Sequence, residues 1–391
     1  MAFYCLISAL LFLLYTYALY PLAMRQLALF MEDPPGGADV FEPEVAIVIV
    51  ARNEQSRIRA KVESCLDQEY PKAKLRVIVA LDGPNPETLA VLQLIDNPNV
   101  RIVGSEIHRG KSATLNDAIK TCREPVLVMT DARQRLDRQA VRYLVNSLAD
   151  PTVGAVSGEL MFELSESDEV GKAIDAYWRY EKSIRRSESI VHSSIGVTGA
   201  LYAIRRECFE PLPSNTILDD VMVPMKAVLN GWRVRFESRA IAYDHPSHSM
   251  SQERARKIRT LAGNFQLLQL CPELLNPARN PVFLQFVSHK VFRLIAPVVL
   301  VVAFAANVAL AFGSWLFAAL LALQVTLYLM AMLAGVHPAL TRNRLARLAA
   351  TFVSMHAFVV LGFVEYLANK DAHLWVGPSV SAGHDKPTGR D

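Results

Sequence analysis

The stretch VAIVIVARNE, Val45 to Glu54, decides the fold. It opens as an unbroken apolar run of strand length and then turns abruptly polar. An unbroken run, as opposed to an alternating one, marks a strand covered on both faces. Working outward, Glu54–Gln68 is polar with helical spacing, and Leu75–Leu81 (LRVIVAL) is a second buried strand. Val100–Val103 is short and β-rich, Lys111–Thr121 has helical spacing, and Pro125–Thr130 (PVLVMT) is a further strand. Strands alternating with helices predict an α/β fold with a mixed, mostly parallel sheet and helices on both faces. In such sheets ligands bind beyond the C-terminal ends of the strands. Those ends carry Ala51-Arg52-Asn53-Glu54, then Asp82-Gly83, then Asp131-Ala132-Arg133. No G-x-G-x-x-G and no G-x-x-x-x-G-K-[ST] is present there, so a dinucleotide fold and a P-loop both lose support. A polar, acidic edge suits a nucleotide's base and ribose and a metal-bound diphosphate.

The ends of the chain have a different character. Hydrophobic residues make up 52% of the 391 residues, high for a soluble enzyme. The net charge of +3, with no long basic run, gives no reason to expect nucleic acid as a partner. Cys5, Cys65, Cys122, Cys208 and Cys271 are scattered without a CxxC pair, which argues against a disulfide framework and a zinc site. Ala2–Met24 carries no charge and is followed by Arg25, which predicts an uncleaved membrane anchor. Residues 294–313, 315–336 and 348–367 are three further candidate spans, and the loop between the last two holds Arg342, Arg344 and Arg347. The positive-inside rule places that loop, Arg25, Lys290 and Arg293 on the cytosolic side of the plasma (inner) membrane. The expected division is an anchor at 1–31, a cytosolic catalytic domain at 32–290, a membrane region at 291–370 and a polar tail at 371–391. A crossing at 348–367 would carry the tail outward, unless that segment lies along the interface.

The ordered set A-R-N-E (51–54), L-D-G (81–83), R-G-K-S-A-T-L-N (109–116), T-D-A-R (130–133), L-D-D (218–220) and R-x-x-R-T (256–260) resembles the family 2 glycosyltransferases, which have the GT-A fold. The resemblance covers about residues 44–265. The layout of short anchor, catalytic domain and C-terminal spans resembles the bacterial poly-N-acetylglucosamine synthases and other exopolysaccharide enzymes.

The resemblance implies roles, each weighed against a plainer reading. Ala51, Asn53 and Glu54 match the stretch that touches the nucleotide base; a turn and helix cap is the alternative. Asp82 would accept from the uracil imide or the ribose. Lys111, after His108-Arg109-Gly110, would sit near the diphosphate or the base, since a glycine beside a cation at a helix N-terminus favours anions. Asp131 holds the first place of the family's D-x-D motif, so a divalent cation, Mg2+ or Mn2+, is the expected cofactor. The second acidic place is Arg133, which cannot ligate a metal but can fork onto phosphate oxygens. His245 is a further candidate ligand. Asp220, in the place of the family's base, would take the acceptor's proton with Asp219 beside it, and one base on the backside inverts the anomeric centre. Arg256 and Arg259 fall where polymer-forming members carry Q-x-x-R-W; Arg259 would contact the donor diphosphate. Thr260 stands in place of the acceptor-stacking Trp. Thr198 and Gly199 would line the acceptor pocket.

The expected activity is therefore inverting transfer of a sugar from a nucleotide-diphosphate donor, UDP by preference, at the bilayer. The acceptor is a growing polysaccharide or a lipid-linked glycan. The rival reading is a catalytically impaired relative acting as a membrane scaffold, for which Arg133 is the main support.

Overall fold

The structure is a computed structural model that describes residues 1–31, 41–163, 169–245, 250–337, 340 and 343–374. The expected boundary at residue 32, Arg342 of the basic loop and the tail from 375 lie outside these residues.

Eight strands form one sheet: β1 (Val45–Ala51), β2 (Leu75–Leu81), β3 (Val100–Gly104), β4 (Val126–Asp131), β5 (Arg135–Leu136), β6 (Val153–Phe162), β7 (Tyr202–Arg205) and β8 (Arg233–Asp244), in the order β3-β2-β1-β4-β7-β6-β8-β5. The first four strands expected from the apolar runs run parallel. β7 is antiparallel to both β4 and β6, which makes the sheet mixed. Every residue of β1 is buried, as its unbroken apolar run requires. Val45, Ile47, Ile49 and Ala51 face one core, while Ala46, Val48 and Val50 face the other. Covering each of these Val and Ile side chains stabilises the fold by about 1.5–3 kcal/mol.

Register then places the chemistry. Ala51 pairs with Leu81, and Val50 pairs with Asp131. Arg52–Glu54, Asp82 and Asp131 therefore leave the sheet level with one another, at one edge. The helix after the first turn is shorter than its polar pattern implied, Ile58–Leu66. Just before that segment Asn53 is left-handed, at φ 55°, which turns the chain sharply at the end of β1.

Among the described residues four helices are long and apolar enough to cross a membrane: Ala2–Leu29, Phe283–Ala311, Trp315–Val336 and Arg344–Ala368. The second begins at Phe283, well before the apolar block expected from residue 294. Leu6 and Ala9 of the first helix pack on Ala303 and Ala306 of the second, where small side chains let the backbones approach closely. The helices are antiparallel neighbours, with Phe12 against Phe292 and Phe3 against Phe317 at the start of the third.

Candidate active site

The sheet edge collects a compact set of charges. Lys111 opens the helix Lys111–Lys120, and its Nζ lies 2.9 Å from Asp131 Oδ1 and 3.1 Å from Asp219 Oδ2. Asp219 and Asp220 begin the helix Asp219–Leu229, where the positive end of the helix dipole favours carboxylates. One ammonium thus bridges two carboxylates that come from residues far apart in the chain. Burial works to raise the Asp131 carboxyl, but Lys111 and Arg133 overcome it and hold it below its ordinary value.

Asp220 is in a different position. Its side chain has no hydrogen bond and no ion pair among the described residues. Burial and the adjacent Asp219 charge push its carboxyl up to about 6, against the opposing pull of Lys111, Lys290 and Arg185. Gly199 touches it: a Cβ on Gly199 would stand 3.4 Å from Asp220 Oδ2. The absence of a side chain there leaves room beside the carboxylate. The loop itself is anchored to that helix, because Val197 N–H donates to the Asp220 carbonyl at 2.9 Å. Thr198 is nearly buried, its N–H bonded to Ser157 Oγ at 3.0 Å. A small cavity opens beside it, lined by Gly158, Leu160, Lys182, Arg185, Thr198 and Phe236.

The first turn holds Glu54 nearly buried, with its N–H bonded to Thr88 Oγ1 at 3.1 Å and its Oε2 without a hydrogen-bond partner. Burial raises its carboxyl, while Arg57 and Arg133 pull it back. Asn53 N–H donates to Asn85 Oδ1 at 2.6 Å. Asp82 is fully buried at 0% exposure and accepts from Arg109 N–H at 2.9 Å, from Gly110 N–H at 3.1 Å and pairs with His108 Nδ1 at 2.8 Å. The anion held by the loop before Lys111 is thus the protein's own Asp82. The side chain of Lys111 turns to the aspartates.

Several expected residues have contacts that the sequence did not imply. Arg133 lies 3.6 Å from the buried Asp244, which Gln134 also holds, at 2.8 Å. His245 is 73% exposed and faces Glu163 at 3.5 Å; no contact among the described residues joins it to Asp131. Arg256 pairs with Glu253 on its own helix, Met250–Leu270. Arg259, one turn on, does reach the site: its charge interacts with Asp219, Asp220 and Asp131, and burial lowers its pKa. Its Nε donates to the Ala372 carbonyl at 2.9 Å. Ala372 is buried in the domain core, and the neighbouring His373 carbonyl would lie 3.2 Å from a Cβ on Gly110. The segment after the last helix therefore folds back over the loop and over Arg259. Gly110 is at φ 88°, so a side chain there would be strained as well as crowded.

Residues that the motifs did not flag also belong here. Lys61 is buried beneath Asp131, its Nζ donating to Thr130 Oγ1 at 2.6 Å and the Gln134 carbonyl at 2.7 Å, and burial lowers its pKa. Tyr202 is fully buried with its hydroxyl unpartnered; burial and the nearby Asp219 charge push that hydroxyl well above its usual range. Neither carries a sequence signal, since one reads as a helix surface lysine and the other as a strand aromatic.

Among the described residues no group of three or more His, Cys, Asp or Glu could by itself hold a metal ion. A diphosphate-bridging ion asks for less, since it takes one or two carboxylates and completes its shell from phosphate oxygens and water. Half-exposed Asp131 meets that requirement.

A mixed sheet with acidic turns at the ends of its parallel strands, a carboxylate pair on a helix start and an unpartnered member of that pair define a GT-A sugar transferase site. The sequence match agrees: the glycosyltransferase like family 2 model matches residues 43–263, more than half of the chain. The chain belongs to that family. The poly-beta-1,6-N-acetyl-D-glucosamine synthases of Staphylococcus epidermidis and of Staphylococcus aureus strain COL are each 22% identical over 230 residues. Those matches span 57% of this chain and 55% of each relative. A mannosyltransferase, PcManGT from Pyrobaculum calidifontis, solved with GDP-Man and Mn2+, shares the fold with a TM-score of 0.70 at 23% identity. That likeness covers 94% of this chain and 99% of the other.

Proposed function

We propose that the protein is an inverting glycosyltransferase that moves a sugar from a nucleotide-diphosphate donor to an acceptor reaching Asp220 from the membrane side. The observation that carries the reading is the state of Asp220: a carboxylate without a partner, raised to about 6, beside the open space at Gly199. A general base is most useful with a pKa near working pH, and Asp220 is mostly ionised at neutral pH. It takes the proton of the acceptor hydroxyl as that oxygen bonds to the anomeric carbon. The bond from the anomeric carbon to the diphosphate breaks on the opposite face, and the configuration inverts.

The donor lies over the ends of β1, β2 and β4. Ala51, Asn53 and Glu54 hold the base side, and the buried Glu54 Oε2 offers an acceptor to a base N–H or a ribose hydroxyl. Asp82 acts on the donor through the loop it fixes. Asp131 would hold a divalent cation, which when bound neutralises the charge that develops on the leaving diphosphate. Arg259, released from the Ala372 carbonyl, supplies a second positive group to the same oxygens. The domain faces the cytosol at the inner membrane, with the candidate spans as its platform. UDP-N-acetylglucosamine is the first donor to try, given the relatives, and GDP-mannose the second.

The test is purified protein in detergent with a panel of nucleotide sugars. One donor should release nucleoside diphosphate in an acceptor-dependent manner. Asp220→Asn should cut that turnover by about 10²- to 10⁴-fold while donor affinity stays near the native value. Near-native turnover in that variant would remove Asp220 as the base. A native protein that turns over no nucleotide sugar with any acceptor would instead favour the scaffold reading.

A further inference from the structure

One lysine is buried where an apolar side chain would serve the core. Lys61 lies on the helix Ile58–Leu66, whose Ile58, Val62 and Cys65 are fully covered, and it is itself 3% exposed. Its ammonium has three N–H donors. Two are used, on Thr130 Oγ1 at 2.6 Å and on the Gln134 carbonyl at 2.7 Å, and both acceptors are neutral. No carboxylate pairs with it among the described residues. Its charge acts on the Cys65 thiol one turn along and on the Asp131 and Asp244 carboxylates. A buried ammonium held only by neutral oxygens is less favourable to a fold than an apolar residue of the same length. Core packing alone therefore does not account for Lys61.

Its two acceptors flank the turn Asp131-Ala132-Arg133, Thr130 on the residue before and Gln134 on the residue after. Thr130 belongs to β4 and stands opposite Ile49 of β1. Gln134 is buried, and its amide holds Asp244 at 2.8 Å, the carboxylate that faces Arg133 at 3.6 Å. Lys61 thus staples the foot of the turn, and Asp131 and Arg133 project from a fixed backbone. The staple continues to the other side of the site. Thr130 Oγ1 accepts from Lys61 and donates to the Ala200 carbonyl at 2.7 Å. Chained hydrogen bonds of this kind polarise and strengthen one another. Ala200 follows Gly199, the residue against Asp220, and Val197 in the same loop is bonded to the Asp220 carbonyl at 2.9 Å. The Lys61 ammonium, the Thr130 hydroxyl and the Ala200 carbonyl thereby join the turn that carries Asp131 to the loop that flanks Asp220.

We infer that Lys61 is a positioning residue, which sets the turn at 131–133 for the donor's diphosphate and, through Thr130, fixes the spacing between that turn and the loop beside Asp220. This rests on the transferase reading above and adds a residue to its machinery. Lys61 touches neither donor nor acceptor and moves no proton. Its leverage is geometric, since a misplacement of about 1 Å between reacting groups lowers a rate by on the order of 10²-fold.

The test uses the full chain in detergent and separates the two branches of the staple. Binding of UDP with Mn2+, and of GDP with Mn2+ in parallel, is measured by calorimetry without acceptor, and transfer is then assayed with the active donor. Lys61→Met keeps the length and removes the charge. It should weaken nucleoside-diphosphate binding about tenfold, the value of one hydrogen bond to a charged group, and lower kcat about tenfold as well. Thr130→Val keeps the Lys61 bond to Gln134 and cuts the link to Ala200. It should leave binding within about twofold of native while kcat falls about tenfold. Thr130→Ser, which retains the hydroxyl, should restore kcat. In the Thr130→Val background Lys61→Met should still weaken binding but lower kcat little further, because the two residues act through one link. Arg59→Gln, on the exposed face of the same helix, should behave as native. Thermal melts accompany every variant, and Lys61→Gln, with a shorter neutral arm and the same expected losses, replaces Lys61→Met should that variant fail to fold. A folded Lys61 variant with native binding and native kcat, whatever its melting temperature, would leave Lys61 a packing residue and sink the inference. Thr130→Val that loses binding as Lys61→Met does, or Thr130→Ser no better than Thr130→Val, would sink the link to Ala200. Weakened binding in Lys61→Met, with no sugar transfer by the native protein, would sink the transferase reading and keep the staple on the turn.

Discussion

The molecule buries two groups of charges, one at the sheet edge and one under the first helix, Ala2–Leu29, and they are built to opposite ends. Under the first helix, Glu181 and Glu188 are kept apart by His289, and Arg293 and the Tyr20 hydroxyl complete the set, the latter donating to Glu188 at 2.6 Å. Burial works to raise the Glu181 carboxyl, yet Arg293 and His289 hold it well below the usual carboxylate range. At the sheet edge, Asp219 and Asp220 are adjacent in sequence, and the one ammonium in contact goes to Asp219 and Asp131. Asp220 is left with repulsion on one side and burial around it, and its carboxyl rises to about 6. Interleaving opposite charges makes a fastener. Crowding like charges makes a proton acceptor.

This contrast can be broken by substitution. Removing one partner of the fastener leaves a buried charge uncompensated, so Glu181→Gln should destabilise the fold by about 3–5 kcal/mol. Denaturant melts in detergent would measure the loss, while the folded fraction should keep its donor affinity. A loss of donor affinity with native stability would show that the anchor cluster belongs to the site. Arg259→Gln should come next, with donor KM rising about tenfold and membrane association unchanged. A fall in membrane association alone would return Arg259 to a headgroup role.

Asp219→Asn should act on Asp220 through charge. Asp220 works as a base only when ionised, so activity rises with pH through its pKa. Removing the neighbouring negative charge lowers that pKa, and the acid limb of kcat/KM should move below pH 6 by about one unit. An unmoved limb would mean that burial alone raises Asp220. Arg256→Gln should have the smallest effect, under about twofold on donor KM, because Arg256 is occupied by Glu253.

The parallel half of the fold was legible in the sequence because burial on both faces writes an unbroken apolar run. β1, β2 and β4 match their expected runs within a residue at either end. The end of β8, Ala240–Asp244, is strand-like in sequence, but β6 and the start of β8 were not legible, because their burial is mixed along the strand and their sequences are broken by glycine or charge. For the site, position after a strand was enough to point to Asn53, Glu54, Asp82 and Asp131. Which partner each carboxylate has was not legible, since the partners lie far away in the chain. Lys111 meets Asp219 across more than a hundred residues. Arg256 and Arg259 look alike in sequence, and packing separates them: Gly263 sits against Ile217 and Leu218, which turns the Arg259 face of the helix to the site.

The segment that folds back over Gly110 has a consequence for topology. Phe304 lies against Tyr328 and Asn307 within 3.1 Å of Gln324, so Phe283–Ala311 and Trp315–Val336 form an antiparallel hairpin whose open end returns to the catalytic domain. The last helix starts near that open end. His356 meets Tyr17 at 2.9 Å, Phe358 lies under Lys257, Tyr366 reaches Gln269, and Ala372 finishes inside the domain core. Both ends of Arg344–Ala368 therefore lie on the domain's side. A bilayer crossed by the other three helices would carry the fourth as a raft along its surface. Met1 and Leu374 would then face different compartments, and reporters fused to the two positions should give opposite signals.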